Sequence, residues 1–226
     1  MNAIACSVEL EVDARARHSC GISDVAIYEM VARTLEQHHV RRDIVLDIGC
    51  GHGYLRPFLR SDFSRYIGAD VVRYSEFPSI DEFTYVDLEK ERVPLADDIA
   101  DVVVCVETIE HLENPRAFMR ELVRLAKVGG WVVVTTPNQL SLLSLLTLII
   151  KRRFSAFQDV HYPAHLTALL ESDLVRMAAE CKLTEVSTGY SYRGRLMLTP
   201  WHYPGFLARR FPRALSDNLL MIGRKS

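Results

Sequence analysis

Fully apolar runs alternate along this chain with stretches of helical periodicity, and glycine, proline or an acid usually marks the change from one to the other. Ile44-Val45-Leu46, Val102-Val103-Val104-Cys105-Val106 and Trp131-Val132-Val133-Val134 are apolar at every position, as parallel strands covered on both faces require. The pattern predicts strands near 43–48, 65–69, 83–86, 101–106 and 131–136, with helices between them. Ser23 is positioned to cap a helix running to about Gln37, and Asn114-Pro115 form a cap and first-turn pair ahead of Phe118, Leu122 and Leu125. Gly129-Gly130 reads as the stop of that helix. Ser172 reads as the cap of a later helix with Leu174, Met177, Ala178 and Cys181 on its buried stripe, followed by a strand near 184–190 and a last strand at Leu219-Leu220-Met221-Ile222-Gly223. Alternating strands and helices predict an α/β fold, a Rossmann-like doubly wound sheet of about seven strands, mostly parallel. Within it, the unit from 101 to 136 is a right-handed crossover.

A length of 226 residues, 49% of them hydrophobic, suits one core, so a loose arm over 1–20 and a single domain over 21–226 are expected. The stretch Met1 to His18 lacks the apolar centre of a secretory signal. Five scattered cysteines, Cys6, Cys20, Cys50, Cys105 and Cys181, form no Cys-x-x-Cys pair, which suits free thiols in a reducing cytoplasm. Cys50 and Cys105 read as packing residues. The net charge of −2 conceals an asymmetry: residues 1–113 hold 11 Lys and Arg against 22 Asp and Glu, whereas residues 114–226 hold 16 against 7.

The glycine turn Asp47-Ile48-Gly49-Cys50-Gly51-His52-Gly53 follows the first apolar run, the place where α/β sheets bind nucleotide-type ligands. Its third glycine comes one position too early for a dinucleotide loop, and an acid at Asp47 repels phosphate. The same acid suits a ligand carrying an ammonium and a sulfonium, which points to S-adenosylmethionine rather than NAD. Asp70 ends the next strand about twenty residues on, where a carboxylate can accept ribose hydroxyls, and Asp87 ends the one after.

With these residues in order, the chain resembles the class I S-adenosylmethionine-dependent methyltransferases over roughly 22–190, and within them a bacterial group acting on small molecules and glycans. Val45 to Gly53 resembles their first motif, Asp70 their ribose-binding acid, Asp87-Leu88 the pair beside the adenine, and Gly129 to Asn138 their fifth strand. The resemblance implies an antiparallel last strand and cofactor contacts from Asp47, Gly49, Gly51, Gly53, Asp70, Val71, Asp87, Leu88 and Glu107. It implies an acceptor-side insertion at about 139–170.

The chemistry is expected after the fourth strand, at Glu107-Thr108-Ile109-Glu110-His111-Leu112. Methyl transfer to oxygen needs two partners held in line and a base for the hydroxyl proton. His111 is the first candidate base, with Glu107 and Glu110 as orienting groups or plain solvated carboxylates. His165 is a second candidate, because Asp159 to Thr167 resembles the acceptor loop of glycan and quinone-biosynthesis methyltransferases. Glu107, Glu110 and His111 with His161 or His165 also resemble the metal site of terminal RNA 2′-O-methyltransferases, where Mg²⁺ or Mn²⁺ would sit.

The segment Leu140 to Ile150 is apolar, ends at Lys151-Arg152-Arg153 and is too short to span a bilayer. Core packing is its first expectation; a lid and an interfacial helix against anionic lipid are the others. Trp201, Tyr203 and Phe206 could line the acceptor pocket or stack on a sugar. The expected partner is a small-molecule or glycan acceptor, an anionic one matching the basic half, with no DNA and with peripheral membrane contact through 140–153. The leading reading is O-methylation of a sugar, glycolipid or related metabolite. The others are a lipid-tailed phenol such as a quinone precursor, a metal-assisted RNA 2′-O-methyltransferase and a non-catalytic cofactor-binding scaffold.

Overall fold

In a computed structural model, which describes residues 21–40, 43–90, 92–197 and 199–226, seven strands form one sheet. They are β1 (Ile44–Ile48), β2 (Arg65–Asp70), β3 (Glu82–Tyr85), β4 (Ala100–Cys105), β5 (Ala126–Pro137), β6 (Leu183–Tyr190) and β7 (Asn218–Lys225), in the order β3-β2-β1-β4-β5-β7-β6. The pairings from β3 through β5 are parallel. β7 lies antiparallel between β5 and β6. The expected arm over 1–20, with Cys6 and Cys20, falls outside the described residues.

The apolar runs are buried because the sheet is covered on both sides. Alternation along a strand sends Leu46 and Val103 into one core with Phe118, Met119, Leu122, Leu174 and Met177. The same alternation sends Val45, Val102 and Val104 into another with Ile27, Met30, Val31 and Leu35. Helix α1 (Val25–Gln37) thus covers one face, and α2 (Pro115–Leu125) and α4 (Glu171–Glu180) the other. Cys50 and Cys105 are buried in these cores, as expected of packing thiols.

Several local expectations are corrected. Asp24, not Ser23, caps α1: its carboxylate accepts the Ala26 N–H at 2.9 Å, while the Ser23 N–H donates to the Tyr28 hydroxyl. Ser172 lies inside α4, whose start is held by the Asp173 carboxylate accepting the Leu170 N–H at 3.0 Å. Cys181 is the C-terminal cap of that helix and is half-buried. Gly129-Gly130 does not stop α2, which ends at Leu125; β5 starts at once and runs through both glycines. A side chain at Gly130 would meet the Lys127 carbonyl at 2.8 Å, so the close approach of backbone explains the residue.

Two further helices flank the sheet's carboxyl end, α3 (Leu142–Lys151) and the short α5 (Gly205–Arg210). The core expectation for 140–150 fails. Ser144 is the buried residue of α3, while Leu142, Leu145, Ile149 and Ile150 are exposed. No described helix is long and apolar enough to cross a membrane.

Candidate active site

The strand order reverses between β1 and β4, and a crevice opens beyond their carboxyl ends. A cavity of about 330 Å³ occupies it, floored by the glycine turn and the ends of β1, β2 and β4. The glycines are required by contact as well as conformation. Gly49 has φ of +73°, and a Cβ there would lie 2.2 Å from Thr108 Oγ1; Gly51 has φ of +50°, and a Cβ would lie 2.1 Å from the Gly21 carbonyl oxygen. Residues 21–24 fold over the turn and join the cavity wall.

Asp47 is 2% exposed. Its Oδ2 accepts the Tyr66 hydroxyl, and its buried Oδ1 has no hydrogen-bond partner. Burial pushes its carboxyl up to about 7 against the opposing Tyr66 hydrogen bond, with the Asp70 charge adding to the rise. An unsatisfied buried acceptor is costly, and at a cavity wall it marks where a cationic ligand group belongs. Asp70 receives the Gly51 N–H on Oδ2 at 2.9 Å and the Val72 N–H on Oδ1 at 3.2 Å. With the Val71 N–H also bonding this carboxylate, lone-pair capacity remains for a ligand hydroxyl. Asp87 accepts the Glu89 N–H at 3.0 Å and pairs with Lys90 at 3.0 Å. Val71 and Leu88 complete this wall.

The segment after β4 forms the opposite wall. Glu107 holds a left-handed backbone, φ +48°, fixed by its N–H to Thr135 Oγ1 at 3.0 Å. Its carboxylate accepts from Thr135 Oγ1 at 3.1 Å and from Asn218 Nδ2 at 3.0 Å. Burial raises its carboxyl in spite of both bonds. Glu110 is fully buried. Its Oε2 accepts from Thr136 at 3.3 Å while Oε1 has no partner, and burial followed by the Glu107 charge drives its carboxyl well up.

His111 Nδ1 donates to the Ala164 carbonyl at 2.9 Å, and His165 Nδ1 donates to the Ala156 carbonyl at 2.6 Å. A carbonyl only accepts, so each neutral ring keeps its lone pair on Nε2. The two rings meet edge to face, centroids 4.8 Å apart, and His161 stacks on His165 at 5.4 Å. Burial, then the neighbouring His111 and His161, pull His165 down to about 4. It is neutral at physiological pH.

Residues 24–184 match the methyltransferase domain family. The chain belongs to the S-adenosylmethionine-dependent methyltransferases. A relative from Mycolicibacterium smegmatis, described as a "Probable S-adenosylmethionine-dependent methyltransferase", is 32% identical over 117 residues, 50% of this chain and 45% of that protein. A "Ubiquinone biosynthesis O-methyltransferase" of Thiobacillus denitrificans is 29% identical over 160 residues, 66% of this chain and 68% of that one. The fold is shared with the Burkholderia thailandensis 1,6-didemethyltoxoflavin-N1-methyltransferase, crystallised with bound 1,6-didemethyltoxoflavin and S-adenosylhomocysteine. The TM-score is 0.64 at 14% identity, over 100% of this chain and 91% of that chain.

S-adenosylmethionine is thus the cofactor of this methyltransferase, and the residues present fit it. The orphaned Asp47 oxygen suits the ammonium, Asp70 the ribose, and Asp87 with Leu88 the adenine side. Of the nine residues expected at the cofactor, Asp47, Gly49, Asp70, Val71, Asp87, Leu88 and Glu107 line the cavity, whereas Gly51 and Gly53 do not. His111, His165, Glu107 and Glu110 line it as well. Trp201, Tyr203 and Phe206 do not; Trp201 and Phe206 are exposed to solvent, which corrects their expected place in the pocket. Tyr66, Thr108, Thr135 and Asn218 were missed, as were the Ala156 and Ala164 carbonyls. Tyr66, a hydroxyl in a buried strand beside β1, was the one with a sequence signal.

Proposed function

We propose that this methyltransferase methylates a hydroxyl oxygen of a lipid-tailed phenolic acceptor, with His111 removing the hydroxyl proton. The observation that carries the reading is the pair of histidines, both anchored through Nδ1 to backbone carbonyls at the cavity wall. When bound, S-adenosylmethionine supplies an electrophilic methyl whose sulfur leaves as a neutral thioether. His111 Nε2 takes the proton as the acceptor oxygen attacks. The Ala164 carbonyl holds the ring in place and accepts a stronger hydrogen bond once the ring is charged. Neutral His165, beside it, adds no competing positive charge. Relatives named for ubiquinone biosynthesis support a tailed phenol over the sugar or glycolipid first expected. The absence of Trp201 and Tyr203 from the cavity wall removes the sugar-stacking argument. Incubation with methyl-labelled cofactor and either an alkyl-tailed catechol or a panel of nucleotide sugars and glycolipids separates the two. Label on the catechol oxygen is expected, and label on the sugars alone would overturn the phenol.

A second reading has one observation in its favour. Ligand atoms of Glu110, His111 and His165 lie within 4.8 Å of one another, with Glu110 Oε1 unpartnered. Oxygen and imidazole donors with carbonyl-anchored rings suit a divalent ion. These three would hold it and Glu107 would not, its carboxylate being bonded to Thr135 and Asn218. A rise in melting temperature with Mn²⁺ or Mg²⁺ that Glu110→Ala abolishes is expected on this reading; turnover insensitive to a chelator, without that rise, counts against it.

A further inference from the structure

Helix α3 is built inside out. Leu142, Leu145 and Ile149 follow one another at helical spacing on its outward stripe, with Ile150 alongside, while its inward side centres on Ser144. Ile149 is 76% and Ile150 67% exposed. A water-facing helix carries the opposite arrangement, and a contiguous apolar stripe of this kind marks an interaction surface. The helix ends in Lys151-Arg152-Arg153, all exposed. Arg153 pairs with Asp159, but among the described residues Lys151 and Arg152 have no carboxylate partner.

We propose that α3 lies in the interface of an anionic lipid bilayer, with Ile149 and Ile150 buried among acyl chains and Lys151 and Arg152 at the headgroup phosphates. Ten residues make a helix about 15 Å long, which suits lying in the interface and not crossing it. Charge complementarity favours lipid over a second copy of this chain. The cationic end sits in the half that carries 16 Lys and Arg against 7 Asp and Glu, and a second copy would bring those same cations against one another. The neighbouring α5 region adds to this character: it is tied to α3 through the Leu142 N–H on the Ala214 carbonyl at 2.7 Å, and it exposes Phe206 and Phe211 beside Arg209 and Arg210.

The surface is joined to the cavity. The loop leaving α3 folds back through the Ser155 N–H on Ser144 Oγ at 3.2 Å, and the next residue, Ala156, supplies the carbonyl that holds His165. A lipid-borne acceptor would therefore meet the cavity from the side where the helix meets the membrane.

Flotation of the full chain with vesicles of equal parts phosphatidylcholine and phosphatidylglycerol tests the proposal without requiring turnover, so its outcome is independent of which acceptor is methylated. Wild type is expected to float with these vesicles, not with phosphatidylcholine alone, and to be released by high salt. The pairs Ile149→Asp/Ile150→Asp and Lys151→Glu/Arg152→Glu should each lower the bound fraction about tenfold or more, with cofactor affinity and turnover of a tail-less catechol retained. Failure of wild type to float, or equal flotation of both variants, would overturn the proposal. So would a wild-type dimer that the Asp pair dissociates, which would assign the face to a second copy.

Discussion

Asp47 is under electrostatic tension, because its carboxylate is buried with one oxygen unanswered. In the free protein its carboxyl titrates near 7, above the 3.8 of the unfolded chain. The folded state therefore holds the extra proton between those values, and Asp47's contribution to stability is present below about pH 4 and is lost as pH rises through 7. A cationic ligand reverses the preference. Cofactor affinity measured by calorimetry should fall with acidification below about pH 7, by up to tenfold per unit, and Asp47→Asn should weaken binding and flatten that slope. Gly51→Ala drives a Cβ toward the Gly21 carbonyl at a positive φ; the variant should lose roughly 1–3 kcal/mol of stability and most cofactor binding, read by thermal melting and calorimetry. Asp47, Asp70 and the glycines were legible because their chemistry is written in side-chain type and spacing. The carbonyls of Ala156 and Ala164, which orient both histidines, belong to every residue alike and leave no mark in a sequence.

The elements repeat this division. The Asn114 cap was readable, and its side chain accepts the Ala117 N–H at 3.0 Å; Asn114→Ala should cost about 1 kcal/mol in chemical denaturation with cofactor affinity intact. Gly129-Gly130 were misread because the same residue type ends helices and permits close backbone approach, and the choice depends on β4 lying beside it. Helix α3 was misplaced for a related reason. An apolar run states that a surface is poorly suited to water, but not what covers it, and here the protein's own core does not.

At the scale of the molecule, sheet order places the β1–β4 switch point under the cavity; the alternating apolar runs predicted the mostly parallel α/β sheet but not the order of its strands. The antiparallel direction of β7 came from resemblance and not from periodicity, and its position between β5 and β6, which brings Asn218 to Glu107, was in neither. Because residues from the ends of β1, β2 and β4 wall one cavity, S-adenosylhomocysteine at about 100 times its dissociation constant should stabilise the fold by about 2.7 kcal/mol, visible as a shifted melting curve. Asp70→Ala should reduce that shift.

The claim that anchored His111 serves transfer to oxygen is tested most directly by single-turnover transfer of labelled methyl to an alkyl-tailed catechol, comparing wild type with His111→Ala at saturating cofactor. The account predicts O-methylated product from wild type and a rate about 100-fold or more lower in the variant, with unchanged affinity for S-adenosylhomocysteine. An undiminished rate in His111→Ala, or label recovered on carbon or nitrogen, would contradict it.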